Sequence, residues 1–245
     1  MSEFVYGRHA VEHLIKAKRR RVLKLFLQKG LEERENDLLS AARAANIPVE
    51  IQPPAFFSNK SNPQATHQGV MALTEGYPYV PVDQLFTESL LLIADEIQDV
   101  HNLGALCRSA HLFGVGGIIL PETQSASIGP GTCQSAVGAV EYLKIARVSS
   151  VAKVLEVLKE NSFWTYGADA EAGKPLHEEA FPKKVALVIG SEEKGLRKLV
   201  RERCDILLKI PMEGRKIGSF NASVAAGILL YEVSRQKLSK SKENS

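Results

Sequence analysis

The feature that most constrains the fold is a regular alternation of short apolar segments with helical segments from Leu90 onward. Strands separated by helices need crossover connections, and such connections produce a parallel sheet. The C-terminal part is therefore predicted to be an α/β domain. The predicted strands are Leu90–Ala94, Gly117–Leu120, Leu143–Val148, Phe163–Ala168, Val185–Gly190 and Ile206–Ile210, and the predicted helices are Leu103–Phe113, Val151–Glu160, Lys194–Arg203 and Asn221–Lys237.

The N-terminal part is predicted to be a smaller α/β unit. Gly76, Pro78 and Pro81 then interrupt any regular element, which is typical of a connection between domains. The sequence thus predicts a first domain at 1–73, a linker at 74–88 and a second domain at 89–245. The predicted elements of the first domain are helix Arg8–Ala17, strand Val22–Gln28, helix Arg34–Ala45 and extended segments at Pro48–Ile51 and Gln68–Leu73.

The composition is that of an ordinary globular protein, with 44% hydrophobic and 24% charged residues and a formal net charge of +3. The three cysteines, Cys107, Cys133 and Cys204, are scattered without the spacing of a metal site, which fits a reducing compartment. The longest aliphatic run, Leu90–Ala94, is far too short to span a membrane, and no signal peptide is evident at the N-terminus. We therefore expect a cytoplasmic protein without a membrane segment or a metal site.

The positive charge is concentrated in one run, which contains Lys18, Arg19, Arg20 and Arg21. Such a cluster can neutralise the phosphates of a nucleic acid and release their counterions. It can equally be a solvated loop between two elements. The sequence leaves both interpretations open.

Parallel sheets bind ligands beyond the carboxyl ends of their strands, so the loops that follow the predicted strands are candidate sites. The glycine fingerprint of dinucleotide-binding folds and the phosphate-binding loop are both absent from the sequence. The first candidate loop contains Asn102, which is suited to cap the next helix, and Arg108, which falls off the apolar stripe of that helix. Taken alone, this segment is better explained by a capping asparagine and a surface arginine than by a functional site.

Two more loops follow predicted strands. In the second, Gly190 lets a ligand approach the backbone closely, and Glu192 supplies a carboxylate. Acidic residues such as Glu192 are also common at the start of a helix, so this loop can also be a helix N-terminus. In the third, Ile210 to Met212 lead into a loop where Ser219 or Asn221 can cap the last helix. That helix opens with small residues, which suit either a ligand or a tightly packed neighbour.

Together the three loops resemble the three sequence motifs of the SpoU (SPOUT/TrmH) ribose methyltransferases. The resemblance rests on Asn102 and Arg108, on Gly190-Ser191-Glu192 with Gly195, and on Ile210-Pro211-Met212 with Ser219 to Ser223. The segments Tyr6–Val11 and His67–Val70 are similar to the ends of the small RNA-binding domain in the branch that methylates 23S rRNA guanosine.

The resemblance implies a fold and a cofactor. It implies a deep trefoil knot in the parallel-sheet domain, a small L30e-like RNA-binding domain before it, and a homodimer with its active sites near the subunit interface. It also implies S-adenosylmethionine bound by the knotted loops, largely through backbone groups. By position, the cofactor contacts would be Ala168, Gly190, Ile210, Met212 and Phe220.

The resemblance further implies 2′-O-methylation of a guanosine ribose in 23S rRNA. It gives Arg108 the central part, either as the base or as a clamp on the neighbouring phosphate, and a guanidinium with a pKa above about 12 favours the clamp. Glu192 would steer Arg108, and Asn102, Ser219 and Asn221 would orient the reacting groups. The alternatives are a tRNA guanosine-2′-O-methyltransferase and a non-catalytic RNA-binding protein of the same fold. A nicotinamide-dependent enzyme is disfavoured because its fingerprint is missing.

Overall fold

The computed structural model describes residues 2–60, 66–214 and 218–243. The chain forms two compact units. The first unit consists of Met1–Pro78 and Ser127–Tyr142, and the second of Tyr79–Ala126 and Leu143–Ser245. No helix in the described ranges has both the length and the apolar character needed to cross a membrane.

The first unit is built on a four-stranded sheet of order β1-β4-β2-β3. β4 pairs antiparallel with β1 and with β2, and β2 pairs parallel with β3. Helix α1 packs its apolar face inward, because Val11, Leu14 and Ile15 recur at helical spacing and are buried. The elements are β1 (Ser2–Tyr6), α1 (Arg8–Ala17), β2 (Val22–Gln28), α2 (Asn36–Ala44), β3 (Val49–Gln52), α3 (Pro54–Lys60), β4 (Val70–Glu75) and α5 (Pro130–Ser135).

The first unit also contains a segment from much later in the chain, Ser127–Tyr142, which carries α5 and a 3-10 turn at Ala139–Tyr142. Its Glu141 accepts two hydrogen bonds from Arg20, at 2.6 Å from Nη2 and 3.2 Å from Nε, and both side chains are only 1% exposed. The sequence-based division assigned this segment to the second domain. In the structure, residues 127–142 group with the first unit, because buried groups of this segment have their partners there.

The predicted linker at 74–88 contains regular structure. Its first residues belong to β4, where Glu75 is paired with Ser2 of β1. Further along, Val80 donates a backbone hydrogen bond of 2.9 Å to Ile145, and Val82–Leu85 forms a 3-10 turn whose Leu85 is fully buried. The glycine and prolines at 76–81 end β4, but they are followed by ordered structure of the second unit.

The second unit is built on a seven-stranded sheet of order β7-β6-β5-β10-β8-β11-β9, and its strand pairs are parallel. This confirms the predicted parallel α/β fold, while the threading of the chain through a knot stays a prediction. The strands are β5 (Leu90–Ala94), β6 (Gly117–Pro121), β7 (Lys144–Val148), β8 (Trp164–Ala168), β9 (Lys174–Pro175), β10 (Val185–Ile189) and β11 (Ile206–Lys209); the helices are α4 (Val100–Leu112), α6 (Val151–Glu160), α7 (Lys198–Arg203) and α8 (Ala222–Glu243).

The register of the sheet brings the candidate loops together. Strands β5, β6 and β10 are buried along their whole length, as expected for central strands covered on both faces. Ile189 at the end of β10 lies beside Ala94 at the end of β5, and Leu208 of β11 lies beside Ala168 at the end of β8. The loops that follow these four strands therefore leave from one edge of the sheet.

Candidate active site

A cavity of about 460 Å³ opens at this edge of the second unit. This volume lies in the range of small-molecule sites. All five residues predicted to contact a cofactor line it, and Glu192 and Ser219 line it as well. The five are Ala168 at the end of β8, Gly190 after β10, Ile210 and Met212 after β11, and Phe220 before α8.

Gly190 occupies a position that only glycine can fill. A Cβ atom there would lie 2.1 Å from the carbonyl carbon of Gly195 and 2.4 Å from the nitrogen of Leu196. The loop folds back on itself, because Ser191 and Gly195 exchange backbone hydrogen bonds of 3.1 and 2.9 Å. The backbone that approaches Gly190 closely is thus that of Gly195 and Leu196 in the same loop. Because residues 191–197 close this loop, α7 begins at Lys198, and the predicted helix start at Lys194 was wrong.

This Ser191–Gly195 loop is tied to β5 by an ion pair that the sequence did not reveal. Arg197 donates to the carboxylate of Asp95 from Nε at 2.9 Å and from Nη2 at 2.5 Å, and its backbone nitrogen lies 3.3 Å from the second carboxylate oxygen. Asp95 is fully buried, and its carboxylate raises the pKa of Arg197. The only sequence signal was an acidic residue placed directly after an apolar strand.

Hydrogen bonds join the three candidate loops. Asn221 donates from Nδ2 to Oδ1 of Asn102 over 2.9 Å, and Asn102 in turn donates from Nδ2 to Glu192. Asn221 also caps α8, because its Oδ1 accepts from the backbone nitrogen of Ser223 at 3.0 Å and from the Ser223 hydroxyl at 2.7 Å. One amide pair therefore holds the first loop against the other two.

The cap of α4 differs from the prediction. Asp99 is the N-cap, and its carboxylate accepts from the backbone nitrogens of His101 at 2.6 Å and Asn102 at 2.9 Å. The side chain of Asn102 was predicted to serve as this cap, which was wrong. It is free of the helix end and engages Glu192 and Asn221 instead.

Arg108 lies on α4, exposed and outside the buried stripe that contains Leu103 and Leu106. Its side chain makes no hydrogen bond or ion pair with the residues that the structure describes. The predicted contact between Glu192 and Arg108 is not formed, since Glu192 accepts from Asn102. Ser219 lines the cavity, whereas residues 215–217 of the same loop lie outside the described residues.

The basic run is divided by the fold of the first unit. Lys18 and Arg21 are exposed, while the Arg19 guanidinium lies 5.4 Å from the centre of the Tyr77 ring. Arg20 is buried and bound to Glu141, so its predicted part in RNA contact needs correction. Burial alone would lower the pKa of Arg20, but its interactions with Cys133, Glu141 and Glu3 raise that pKa above its ordinary value.

The two N-terminal segments that carried the resemblance lie side by side. The backbone nitrogen of Gly7 donates to Val70 over 3.1 Å, and that of Arg8 donates to the side chain of Gln68 over 3.0 Å. Arg8 also binds the buried carboxylate of Glu35 at 2.8 Å. These residues start α1 and close the sheet of the first unit.

Comparison with known proteins places this geometry in a family. The model of the SpoU rRNA methylase family matches residues 89–231, more than half of the chain. The chain belongs to the SpoU methylase family. A second family model, described as the substrate-binding domain of RNA 2′-O ribose methyltransferases, matches residues 4–80.

Relatives of the SpoU methylase family resemble the chain over nearly its whole length. The 23S rRNA (guanosine-2′-O-)-methyltransferase RlmB of Salmonella typhimurium is 36% identical over 244 residues, covering 97% of this chain and 100% of the relative. A Bacillus subtilis protein named as a TrmH-family tRNA/rRNA methyltransferase, YacO, is 34% identical and covers 96% of each chain. The SpoU methyltransferase AviRb from Streptomyces viridochromogenes, solved with AdoMet, has the same fold, with a TM-score of 0.85 at 24% identity over 97% of this chain and 91% of that one.

Proposed function

We propose that this protein transfers the methyl group of S-adenosylmethionine to the ribose 2′-hydroxyl of a guanosine in 23S rRNA. The observation that carries the proposal is the hydrogen-bonded chain from Asn221 through Asn102 to Glu192, which borders the cavity lined by the family's cofactor-loop residues. The 23S rRNA substrate is carried over from the named function of the Salmonella relative. Such a substrate supports a cytoplasmic location, which we propose as well.

The cavity fits the cofactor. Met212 and Phe220 are each 38% exposed and offer apolar surface for an adenine ring. The backbone groups of Pro211–Gly214 and Gly218–Phe220 form no hydrogen bond with described residues, so they remain available to a polar ligand. S-adenosylmethionine bound there would supply a methyl group already activated by the sulfonium.

The protein's own task is then positioning. Asn102 and Asn221 fix each other and Glu192, so the edge of the cavity presents rigid polar groups to a ribose. Arg108 is exposed and has no partner among the described residues, which leaves its guanidinium free to bind a phosphate. We therefore assign Arg108 the role of clamping the phosphate beside the target ribose.

We assign RNA docking to the first unit. Lys18 and Arg21 supply exposed positive charge there, and each can release a counterion from the RNA. Arg20 stabilises the unit instead of contacting RNA, because its guanidinium binds the buried carboxylate of Glu141 and the partly buried carboxylate of Glu3.

A homodimer is the assembly that we propose. Leu112 of α4 is 71% exposed, and Tyr231 and Leu238 of α8 are 56% and 62% exposed. The two helices pack together, the ring of Phe113, which follows Leu112, lies 6.3 Å from that of Tyr231, and Leu238 follows Tyr231 by two turns of α8, so the helices offer exposed apolar side chains near one another. Burying such a surface against a second copy is favourable.

The decisive experiment is nucleoside analysis of 23S rRNA and tRNA after incubation with the full-length protein and labelled S-adenosylmethionine. We expect label in 2′-O-methylguanosine of 23S rRNA. Label in tRNA alone would favour the tRNA alternative, label on a base would reject ribose methylation, and absence of label with intact RNA binding would indicate a non-catalytic binding protein. Arg108→Ala should lower transfer on the order of 100-fold or more while cofactor binding is retained. Arg203→Ala, a matched loss of an exposed arginine outside the cavity lining, should not.

A further inference from the structure

The first unit contains a groove of about 780 Å³, lined in part by the Lys18 and Arg21 side chains assigned above to RNA docking. It lies where α1 and α2 end and β2 begins. Its floor is aliphatic, with accessible apolar surface from Leu23, Ala45 and Pro48, and the buried Leu14, Ile15 and Ile47 also line it. The volume is sufficient for a ligand of nucleotide size or larger.

The rim of this groove is cationic. Lys18 and Arg21 are exposed on it, and Arg19 presents its planar guanidinium with one face covered by Tyr77. The Nε atom of Arg19 is buried and has no hydrogen-bond partner among the described residues. The charge of Arg20 is offset by Glu141 and Glu3, and Glu75 is the one acidic residue among the residues that line the groove.

The groove also offers a hydrogen-bond acceptor. α2 ends at Ala44. In a continued helix the carbonyl oxygen of Ala44 would accept a hydrogen bond from the backbone nitrogen of residue 48, but residue 48 is a proline, which has no N–H to donate. No described group donates to this carbonyl. A site with an aliphatic floor, a backbone acceptor and a cationic rim matches a nucleobase together with its phosphate better than it matches a phosphate alone.

We propose that this groove holds one unstacked nucleotide of the substrate RNA, with the base on the aliphatic floor and its phosphates on Lys18 and Arg21. The inference rests on the proposed function, because it assumes that the first unit docks RNA. It adds a defined subsite, so that part of the recognition depends on a base turned out of the RNA and not on charge alone.

Two sets of variants test separately whether the volume of the groove and its positive charge contribute to RNA binding. Ala44→Trp fills the groove without changing the charge, since Ala44 is exposed at the end of α2. We expect filter binding of 23S rRNA by the full-length protein to show at least about a fivefold weaker affinity with an unchanged salt dependence. The control is Ala55→Trp, an exposed alanine of the same unit outside the groove, which should bind normally.

The charge is tested in parallel. Lys18→Ala and Arg21→Ala should each reduce the slope of log affinity against log salt by about 0.7 to 0.9, and Lys153→Ala, an exposed lysine of α6, should leave it unchanged. If Ala44→Trp binds like the wild type while the slopes fall, the groove contributes only charge and the nucleotide subsite is rejected.

Ultraviolet cross-linking of wild-type protein to 23S rRNA gives an answer independent of variant folding. Cross-linked peptides from residues 14–23 or 44–48 support the subsite, and cross-links confined to other regions overturn it. Failure of the proposed function is separately visible, because wild-type protein that binds rRNA without forming 2′-O-methylguanosine would reject the activity and still report on the groove.

Discussion

The buried pair of Arg20 and Glu141 makes a quantitative prediction for the first unit. Arg20→Met keeps the length of the side chain but removes both hydrogen bonds to Glu141 and leaves that carboxylate buried without its counter-charge. Breaking a buried pair in this way typically costs about 3–5 kcal/mol. Against a typical domain stability of about 5–15 kcal/mol, the loss should be easily measured.

The cost should depend on pH. Burial raises the pKa of Glu141, and the guanidinium of Arg20 opposes that rise. Without Arg20 the pKa rises further, so Glu141 takes up a proton as the pH falls and no longer carries a buried charge. The destabilisation should therefore be largest at about pH 8 and shrink toward about pH 5, since a carboxyl whose folded pKa is raised loses its penalty below that pKa.

Urea unfolding followed by far-ultraviolet circular dichroism at the two pH values measures this effect. The single tryptophan, Trp164, lies in the second unit, so its fluorescence reports that unit separately. Hydrogen exchange of peptides from 127–142 should also accelerate. Arg34→Met is the matched control, because Arg34 is 66% exposed beside Glu35 and should cost no more than about 1 kcal/mol. A loss below about 1 kcal/mol for Arg20→Met, with unchanged exchange in 127–142, would refute the reasoning.

Further outcomes follow from the second unit. Gly190→Ala drives a Cβ atom into the backbone of Gly195, so S-adenosylmethionine affinity by calorimetry should fall about tenfold or more, and an unchanged affinity would contradict the steric argument. Asp205 accepts from Lys159 and Thr165, and these bonds outweigh the effect of burial and lower its pKa. Its stabilisation is fully present above the unfolded pKa of about 3.9 and is lost as the pH falls through the folded value. Asp205→Asn should therefore lower Tm at pH 7, and this loss should shrink as the pH is lowered below about 3.9; a loss of Tm independent of pH would exclude the carboxylate as its cause. Tyr231→Glu places a charge on the apolar surface of α8 and should halve the mass measured by light scattering, whereas a monomeric wild type would reject the dimer.

The sequence predicted elements best where the apolar period is strong and local. Helices Arg8–Ala17 and Val151–Glu160 and strands Val22–Gln28 and Leu90–Ala94 begin and end at the predicted residues. Strand β1 was missed because only its pairing with β4, near the other end of the unit, defines it. The helix predicted from Lys194 was wrong because local acidic residues resemble a helix start, whereas the return of the chain from Ser191 to Gly195 is decided by packing around Gly190.

In the candidate site, too, features set by local sequence were predictable and features set by long-range contacts were not. The five residues named as cofactor contacts from the family resemblance line one cavity, and their contact with a cofactor stays a prediction. The partners within the site were not predictable, because Asn102 meets Asn221 and Glu192 only after the sheet has formed. Likewise, four adjacent cations look alike in the sequence, and nothing local shows that a distant Glu141 neutralises Arg20.

The late segment Ser127–Tyr142 has a consequence for synthesis on the ribosome. Domains generally fold from the N-terminus as the chain emerges. Here all four strands of the first unit have been translated by Glu75. The ion pair of Arg20 with Glu141 can form only later, because Glu141 is translated after β5, α4 and β6 of the second unit. In the nascent first unit the Arg20 guanidinium thus has Glu3 but not yet Glu141 as a partner, and the surface that α5 later covers is exposed until Tyr142 has left the exit tunnel.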